Sequence, residues 1–407
     1  MIVTDPKERD LLLHNTVGRE LVIRFPDDNI EISSDNIVSE SMSLTRSIID
    51  GKELKFGGCI ASQFKIKVID VDKIQGISAD LTGKNIEVSL KQTVRPLLYP
   101  SIDLYPSESL FPCGANVVYK WRIFTGKIDS ALRQKNRAVR EIIAYDDFYS
   151  TAKYVYEQMT DFAAYPTGVN LKVVREFMEG VINHPDDTEG VELFNDNTPL
   201  TFTLDNTRNS VRANKTTTID VLSACAELNA AFAVMDTENK LRYIQLGGVN
   251  AQLDEEIEYY SDLEWEEYEI APITSAKFVY GGENDNYYFY PFFTADTLSV
   301  YISDNIITKC CSNIATLVDN FFPHPYLPED NHLFGDLLVY RPYKATLFDY
   351  WWLEPGDKIS ILAGTDDTQQ IISYVFSVTL TGIQNIRVKI NADGVKYLGK
   401  DEINVVQ

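Results

Sequence analysis

The chain has 407 residues, of which 44% are hydrophobic and 24% charged, which predicts a folded protein with more than one core and excludes wholesale disorder. Its formal net charge of −23 opposes adhesion of the surface as a whole to nucleic acid or anionic membranes, because both are polyanions. The five cysteines show no CxxC spacing, so neither a disulfide framework nor a zinc site is predicted.

The N-terminal residues MIVTDPKERD carry charges where a signal peptide has its apolar stretch. Nowhere in the sequence do 18 uncharged apolar residues run together. We therefore expect neither export by a signal peptide nor a membrane-spanning segment, and assembly in a reducing compartment fits the cysteine pattern.

Short strands are predicted from Glu20 to Leu90. Phe64, Ile66 and Val68 alternate with lysines, which is typical of a half-buried antiparallel strand. Residues 86–90 predict the next strand after a Gly-containing turn. Together with 23 Tyr and 20 Phe, these strands indicate a small barrel or sandwich.

Four prolines, at positions 96, 100, 106 and 112, interrupt the following apolar stretch. Because proline cannot donate to a strand ladder, this segment is predicted to be an excursion loop. Strand patterning resumes at Tyr119, Trp121 and Ile123, with the two aromatic side chains facing a core, and returns at 140–145. A second β-unit is therefore predicted.

Two helices are predicted next. The first covers 171–182, with Asn170 as N-cap, an apolar stripe, and the pairs Lys172/Glu176 and Arg175/Glu179 on its outer face. The second covers 218–231, where Thr217 and Asp220 have capping-box spacing. A hairpin over 232–246 completes a small α/β module.

The composition changes after residue 248, because residues 249–269 hold nine Asp or Glu and no Lys or Arg. Strands are predicted again at 275–280, 287–293, 357–362 and 371–390, with a short helix at 312–320. The last third is therefore predicted to be β-rich.

Catalytic signatures are missing from the sequence. The four histidines lie in turn-like or Pro-rich surroundings, and no GxSxG, P-loop, GxGxxG or HExxH segment occurs. Asp70 and Asp72 could share a strand face, but the further oxygen ligands of a calcium loop are missing. We expect no enzyme activity, no cofactor and no metal.

Two alternatives stay open. Aromatic residues at 287–290 and 350–352 could stack on sugars in a carbohydrate-binding or receptor-binding protein, although such side chains are more often strand core. The acidic run could supply the two carboxyl groups of a glycosidase or peptidoglycan hydrolase, although so dense a run is more often a solvated face.

A basic segment, 120–140, holds seven Lys or Arg against one acid, Asp129. With the acidic run it offers two complementary patches, and charge complementarity between subunits fixes register and partner choice. As a hypothesis, the subunit interface contains Arg122, Arg133, Arg137, Arg140, Glu255, Glu256, Glu264 and Glu267.

Several segments resemble phage tail hub proteins, the baseplate hub or tail-associated proteins at the tip of the tail tube. The opening segments are SMSLTRSII at 41–49, LKFGGCIASQFK at 54–65 and LTGKNI at 81–86. FTGKIDS at 124–130 and REIIAYDD at 140–147 resemble a second barrel of that family. The module at 218–229 with KLRYI at 240–244, and TLTGIQ at 379–384, follow in the same order.

The resemblance implies a mainly β fold with α+β insertions, in which two tail-tube-like β-barrel or sandwich domains accompany the small α/β module. The expected division is a first tube-like domain at 1–95 and the first part of the second at 96–165. The module follows at 166–250, and a β-rich region at 251–407 completes the barrels. Because the chain ends at Gln407 without the host-binding or lytic domains of longer members, a bare hub is expected.

The resemblance also implies a homotrimer that adapts a sixfold tail tube to threefold symmetry. Its implied partners are the distal tail or tail tube protein, the tape measure protein and a tip, spike or receptor-binding protein. Genomic DNA would pass through without specific binding. The implied location is the virion tail tip, after assembly in the bacterial cytoplasm.

Overall fold

The computed structural model describes residues 5–50, 56–70, 74, 76, 80–94, 116–133, 138–151, 169–182, 193, 196–197, 199–200, 217–229, 231–244, 254–265, 272–280, 286–290, 298–302, 338–339, 342–362, 370–392 and 396–397. Strands dominate these residues, with a few short helices between them. The predicted fold class, mainly β with small α insertions, is confirmed.

The helices in the described part of the chain are α1 Pro6–His14, α2 Asp147–Thr151, α3 Leu171–Val181 and α4 Thr218–Leu228, with 3-10 turns at Pro26–Asp28 and Ser34–Asn36. The first strands are β1 Thr16–Phe25, β2 Ile30–Ile32, β3 Ser43–Ser47, β4 Gly57–Gly58, β5 Gln63–Ile69, β6 Asn85–Val94, β7 Val117–Arg133 and β8 Val139–Tyr145. The next are β9 Val169–Asn170, β10 Pro199–Leu200, β11 Phe232–Met235 and β12 Leu241–Ile244. The remainder are β13 Asp254–Ile257, β14 Tyr260–Trp265, β15 Pro272–Tyr280, β16 Asn286–Tyr290, β17 Leu298–Ile302, β18 Leu338–Val339, β19 Tyr343–Phe348, β20 Lys358–Leu362, β21 Gln370–Thr381, β22 Arg387–Ala392 and β23 Lys396–Tyr397.

One large sheet organises the molecule. Its strand order is β14-β19-β22-β21-β3-β5-β8-β7-β6-β1-β2, with β20 and β13 attached beside β21. Neighbours along this path are antiparallel, whereas β13 runs parallel to β20. Strands near the two ends of the sequence therefore meet in the middle of the sheet, where β3 pairs with β21.

Alternating burial places the core under one face of this sheet. On β5 the side chains of Phe64, Ile66 and Val68 are buried, while the residues between them are partly exposed. Phe64 stacks on Phe124 with 5.4 Å between ring centroids. The alternation of apolar and polar residues that predicted this strand therefore matches the alternation of buried and partly exposed side chains along it.

A neutral polar network lies within this core. Gln92 is fully buried, and its Oε1 accepts a hydrogen bond from Trp351 Nε1 at 2.9 Å. Its Nε2 donates to the carbonyl oxygen of Leu12 at 3.0 Å and also to Thr16 Oγ1. Gln92 thereby ties the end of α1 to the loop before β20.

A second core belongs to the α/β module, which contains α3, α4 and the β11–β12 hairpin. Asn170 caps α3 through Val173 N–H at 3.0 Å. Thr217 and Asp220 form the predicted capping box of α4. Both predicted helices and the hairpin are confirmed, and α4 ends at Leu228, three residues before the predicted end.

The segment that connects β3 and β5 of the large sheet contributes strand β4 to the sheet of the module. β4 runs parallel to β11, and Gly58 has φ +66 with its Cα so near β11 that a Cβ would lie 2.5 Å from Ala233 O. On β21 the register shifts between Val375 and Ser377. Phe376 accordingly packs in the module core, whereas Val375 and Val378 pack in the sheet core.

Some predictions have other outcomes. Helix α1 was not predicted from the sequence; it begins with Asp5 as N-cap and Pro6 in its first turn. The Arg175/Glu179 pair exists but is buried, so its assignment to the outer face of α3 is wrong. The Pro-rich loop at 96–112 and the helix at 312–320 lie outside the described residues.

Candidate assembly surfaces

The basic segment follows β7 and β8 across the sheet. Arg122 Nη2 lies 2.9 Å from Glu87 Oε2 on the neighbouring β6. Arg133 is exposed at the end of β7 and lies opposite Arg140 in the β7–β8 register. Arg140 is only 4% exposed. Arg137 lies outside the described residues.

The acidic segment follows β13 and β14. Glu255 Oε2 lies 2.6 Å from Arg9 Nε on α1, and both side chains are nearly buried. Glu256 and Glu264 are exposed. Glu267 lies outside the described residues.

The structure thus divides the six predicted interface residues that it describes into two groups. Arg122, Arg140 and Glu255 are engaged or buried within the subunit, whereas Arg133, Glu256 and Glu264 are presented to solvent. β14 and β7 lie seven strand positions apart in the sheet order. At about 4.8 Å per strand, the two segments are separated by roughly 34 Å along the sheet.

Strand β14 is one end of the main sheet path among the described residues. Its register with β19 shifts between Ser261 and Glu264, and Asp262 has φ +53. A bulge with exposed carboxylates is a common way to prevent uncontrolled pairing of an edge strand. This edge is therefore suited to charged contacts and unsuited to simple strand addition.

A buried ionic network, which sequence reasoning missed, lies in the module. The Arg175 guanidinium donates to Glu179 Oε1 at 2.7 Å and to Asp196 Oδ2 at 2.9 Å, and its Cζ lies 4.9 Å from the centroid of the Tyr243 ring. Tyr243 Oη donates to Glu179 Oε1 at 2.8 Å. The four side chains are each no more than 2% exposed.

The electrostatics of this network keep it ionic. Burial alone lowers the pKa of Arg175, but the hydrogen bond and charge of Asp196 raise it above its ordinary value. Burial, reinforced by the charge of Glu179, raises the pKa of Tyr243, which therefore stays a donor. The only sequence signal was the i,i+4 spacing of Arg175 and Glu179, since Asp196 is remote in the chain.

A further buried carboxyl lies at the junction of sheet and α2. Asp146 Oδ2 accepts from Ser62 N–H at 2.7 Å and its Oδ1 from Phe148 N–H at 3.1 Å. Burial raises the pKa of Asp146 to about 7, although the two hydrogen bonds act in the opposite direction. The group lines a cleft of about 230 Å³ with Tyr145 and Tyr149, whose rings stack at 4.1 Å.

The structure also locates the remaining candidates for chemistry. His14 lies 3.4 Å from Asp10 on the same helix, while the other three histidines lie outside the described residues. Within the ranges that the structure covers, no group of three or more His, Cys, Asp or Glu side chains could hold a metal ion. Burial raises the pKa of the Cys59 and Cys225 thiols, which disfavours the reactive thiolate.

The aromatic cluster proposed for sugar binding is divided between core and undescribed side chains. Tyr350, Trp351 and Trp352 are 0% exposed, and Trp351 packs on Trp121 at 5.1 Å between ring centroids. These three rings therefore form core and offer no stacking platform to a sugar. For β16, which contains residues 287–290, the backbone alone is described.

No helix among the residues described above is both long and apolar enough to cross a bilayer. No known protein-family profile matches the chain, and no curated protein matches its sequence. The fold, in contrast, has relatives among solved structures. The tail protein from Neisseria meningitidis MC58 superposes with a TM-score of 0.51 at 12% identity, over 92% of this chain and 96% of that one.

Two other solved structures are similar over comparable lengths. The 43 kDa tail protein of prophage MuSo2 from Shewanella oneidensis gives a TM-score of 0.48 at 8% identity, covering 92% of this chain and 98% of that chain. Prophage tail protein gp18 from Listeria monocytogenes EGD-e gives 0.46 at 11% identity, covering 95% and 97%. The superposition on the Neisseria protein, at a TM-score of 0.51, shows that this chain shares the fold of that tail protein over 92% of its length, as the sequence resemblance predicted.

Proposed function

We propose that this chain is a structural hub subunit of a phage-type tail, and that it acts without catalysis. The observation that supports this most strongly is the nearly end-to-end superposition on a tail protein, in which the shared part is the whole fold and not one common motif. In this proposal the subunit forms a homotrimeric ring at the distal end of the tail tube, in the virion.

The ring adapts the sixfold tube to threefold symmetry. Each subunit contributes two tube-like β units, so that three subunits present six. A closed ring requires a heterologous interface with two different patches on each subunit. The separation of exposed Arg133 from exposed Glu264 by seven strand positions supports such an arrangement.

The same ring mounts and connects other tail components. Its proposed partners are the distal tail or tail tube protein, the tape measure protein, and a tip, spike or receptor-binding protein. Three copies carry a formal charge of −69, three times −23. This charge favours passage of genomic DNA without retention, because like charges repel. Assembly takes place in the bacterial cytoplasm before the virion is complete.

Particle mass and shape test this proposal. Light scattering of the purified full chain should give about three times the 46.2 kDa chain mass, and negative-stain averages should show a threefold ring with a central hole. A monomer at micromolar concentration that shows one barrel in projection would exclude the hub assignment.

Charge reversal tests the interface itself. Arg133→Glu or Glu264→Lys should weaken the trimer by about 0.2–1 kcal/mol per lost contact, more strongly at low salt, and the double reversal should restore it. Lys172→Glu is the matched control, because Lys172 is a surface cation on α3, 3.9 Å from Glu176. Equal weakening by the control and by the interface variants would show a general charge effect.

A further inference from the structure

The outward face of five neighbouring strands, β19, β22, β21, β3 and β5, has a composition unlike that of the chain. In antiparallel strands, directly opposed residues share a face. The register places Arg387, Thr381, Ser43 and Lys65 in one row, and Lys389, Thr379, Thr45 and Gln63 in the next. We call this surface the cation–hydroxyl face.

Its charged groups are all basic. Over the described strands, the outward positions hold Lys65, Lys67, Lys344, Arg387 and Lys389 and no Asp or Glu. The whole chain, in contrast, has 60 acidic residues and 37 basic ones. The first carboxylates are at its borders, Glu264 opposite Lys344 and Glu141 opposite Lys67.

Four of these five cations have no ion pair with another described residue. Arg24, Lys84, Lys91, Lys120 and Lys127 each have a carboxylate within 4.0 Å. Lys65, Lys67, Arg387 and Lys389 have none in the described part of the chain. Arg387 and Lys389 are exposed, and Lys65 and Lys67 are half-buried, which still allows a lysine to keep its charged head in water.

Hydroxyl groups fill the centre of the face. The outward residues of β3, and those of β21 from Ser377 to Thr381, are all serine or threonine. Thr45 Oγ1 and Thr379 Oγ1 lie 3.4 Å apart across the two strands. Beneath them Val378 and Leu380 are buried in the sheet core, so the hydroxyls are held on a rigid support.

This chemistry favours a phosphate-bearing partner over a protein surface. Protein interfaces are enriched in aromatic residues and depleted in Lys and Ser. Contacts to the nucleic-acid backbone, in contrast, come from Lys, Arg, Ser and Thr and carry no sequence information. Arg387 and Lys65 lie three strands apart, roughly 14 Å, so the cations can reach separate phosphates.

We infer that the cation–hydroxyl face makes weak, sequence-independent contacts with the phosphate backbone of duplex DNA. This inference rests on the proposed hub function, in which DNA passes the ring, and identifies the surface that DNA meets. The net negative charge limits affinity. At 0.1 M salt the screening length is about 10 Å, so the nearest cations dominate the local interaction.

The test measures fluorescence anisotropy of labelled 20-base-pair duplexes of two unrelated sequences with the purified full chain. If each of the five cations neutralises one phosphate, the slope of the logarithm of the binding constant against the logarithm of the salt concentration is at most about −4.5. The quadruple variant Lys65→Gln, Lys67→Gln, Arg387→Gln, Lys389→Gln should lose at least tenfold in affinity. Its slope should fall by about 3–4, equally for both sequences.

The matched control is Lys91→Gln, Lys120→Gln, Lys172→Gln, Lys240→Gln. This control changes the net charge by the same amount. Its four lysines lie outside the cation–hydroxyl face, and each has a carboxylate within 4.0 Å. It should keep affinity within about threefold of wild type. Equal losses in both variants would reduce the effect to bulk charge and overturn the inference.

Two further outcomes would also overturn it. One is no binding by wild type at 25 mM salt. The other is competition by polyglutamate as effective as that by unlabelled DNA, which would indicate an acidic protein partner. Particle mass is measured on the same samples to separate this inference from the hub proposal. A trimer that does not bind DNA would refute this inference alone. A monomer that binds DNA would refute only the hub proposal.

Discussion

The large sheet and the α/β module both contain a buried polar network, but the two networks differ in charge. In the sheet, Gln92 connects Trp351 with the backbone of Leu12 through neutral hydrogen bonds. In the module, Arg175 is held between Glu179 and Asp196. Loss of one neutral partner costs a hydrogen bond, whereas loss of one ionic partner leaves a buried charge uncompensated.

The comparison teaches where each region is vulnerable. The sheet core draws on apolar residues from Leu12 to Ala392, so its stability is shared by strands from both ends of the chain. The module core is smaller, and the buried ionic network reaches it through Tyr243. A single substitution should therefore affect the module more than the sheet.

The largest effect is expected for Arg175→Met, which leaves Glu179 and Asp196 buried without their cation. The cost should be about 3–5 kcal/mol, felt first in the module. All four tryptophans, at 121, 265, 351 and 352, lie outside the module. Amide hydrogen exchange of α3 should therefore report the loss, while tryptophan fluorescence during urea unfolding reports the sheet.

The same helix supplies the control for this prediction. Lys172→Met removes an exposed pair whose atoms are 3.9 Å apart, which should cost no more than about 0.5 kcal/mol. If Arg175→Met were as mild as Lys172→Met, the buried network would not stabilise the module and the comparison would fail.

Gln92→Leu tests the neutral network. It leaves Trp351 Nε1 and the Leu12 carbonyl oxygen without Gln92, at an expected cost of about 2 kcal/mol. The tryptophan transition should shift to lower urea, while hydrogen exchange of α3 stays unchanged. Equal shifts in both readouts would show that the two regions unfold as one unit.

A third prediction concerns pH and the junction between the regions. Because the pKa of Asp146 is raised to about 7 from 3.8, the folded state binds this proton more tightly than the unfolded state. Its contribution to stability is therefore fully present below about pH 4 and is lost as pH rises to 7, by at most about 1.4 kcal/mol per unit. The charge of Arg46 favours the ionised form of the Asp146 carboxyl, whereas the charge of Asp147 disfavours it.

Asp146→Asn removes the titrating group from this junction. As pH rises from 5 to 7, the urea midpoint of wild type should decrease relative to that of the variant. The variant keeps only one side-chain oxygen for the N–H groups of Ser62 and Phe148. Parallel pH profiles of wild type and variant would assign the pH dependence to other groups.

Local patterns in the sequence predicted those parts of the fold that local interactions determine. Alternation on β5 predicted its buried face, and Thr217 with Asp220 predicted the start of α4. The pairing of β3 with β21 joins residues more than 300 positions apart, and no local period contains that information. Asp196 could not be assigned to Arg175 for the same reason.

The predicted interface residues show a related limit. Charge patterning identified the basic and acidic segments, but it did not distinguish exposed Arg133 from buried Arg140, which lie opposite each other on neighbouring strands. The cation–hydroxyl face was also missed, because its five cations come from β5, β19 and β22 and form no run in the sequence. Only the sheet order brings them together.

The smallest loss of stability is expected from removing a helix cap, which can be done once in each region. Thr217→Ala breaks the reciprocal capping box of α4, whose helix is almost entirely buried in the module, and should cost about 1 kcal/mol. Asp5→Ala removes a single bond, from Lys7 N–H to Asp5 Oδ1 at 2.9 Å, at the exposed start of α1, and should cost about 0.5 kcal/mol. Hydrogen exchange should localise the first loss to α4 and the second to α1, because each cap acts on its own first turn. A loss that spread from Thr217→Ala into the sheet would mean that the module and the sheet share one cooperative unit, and would remove the distinction between the two regions.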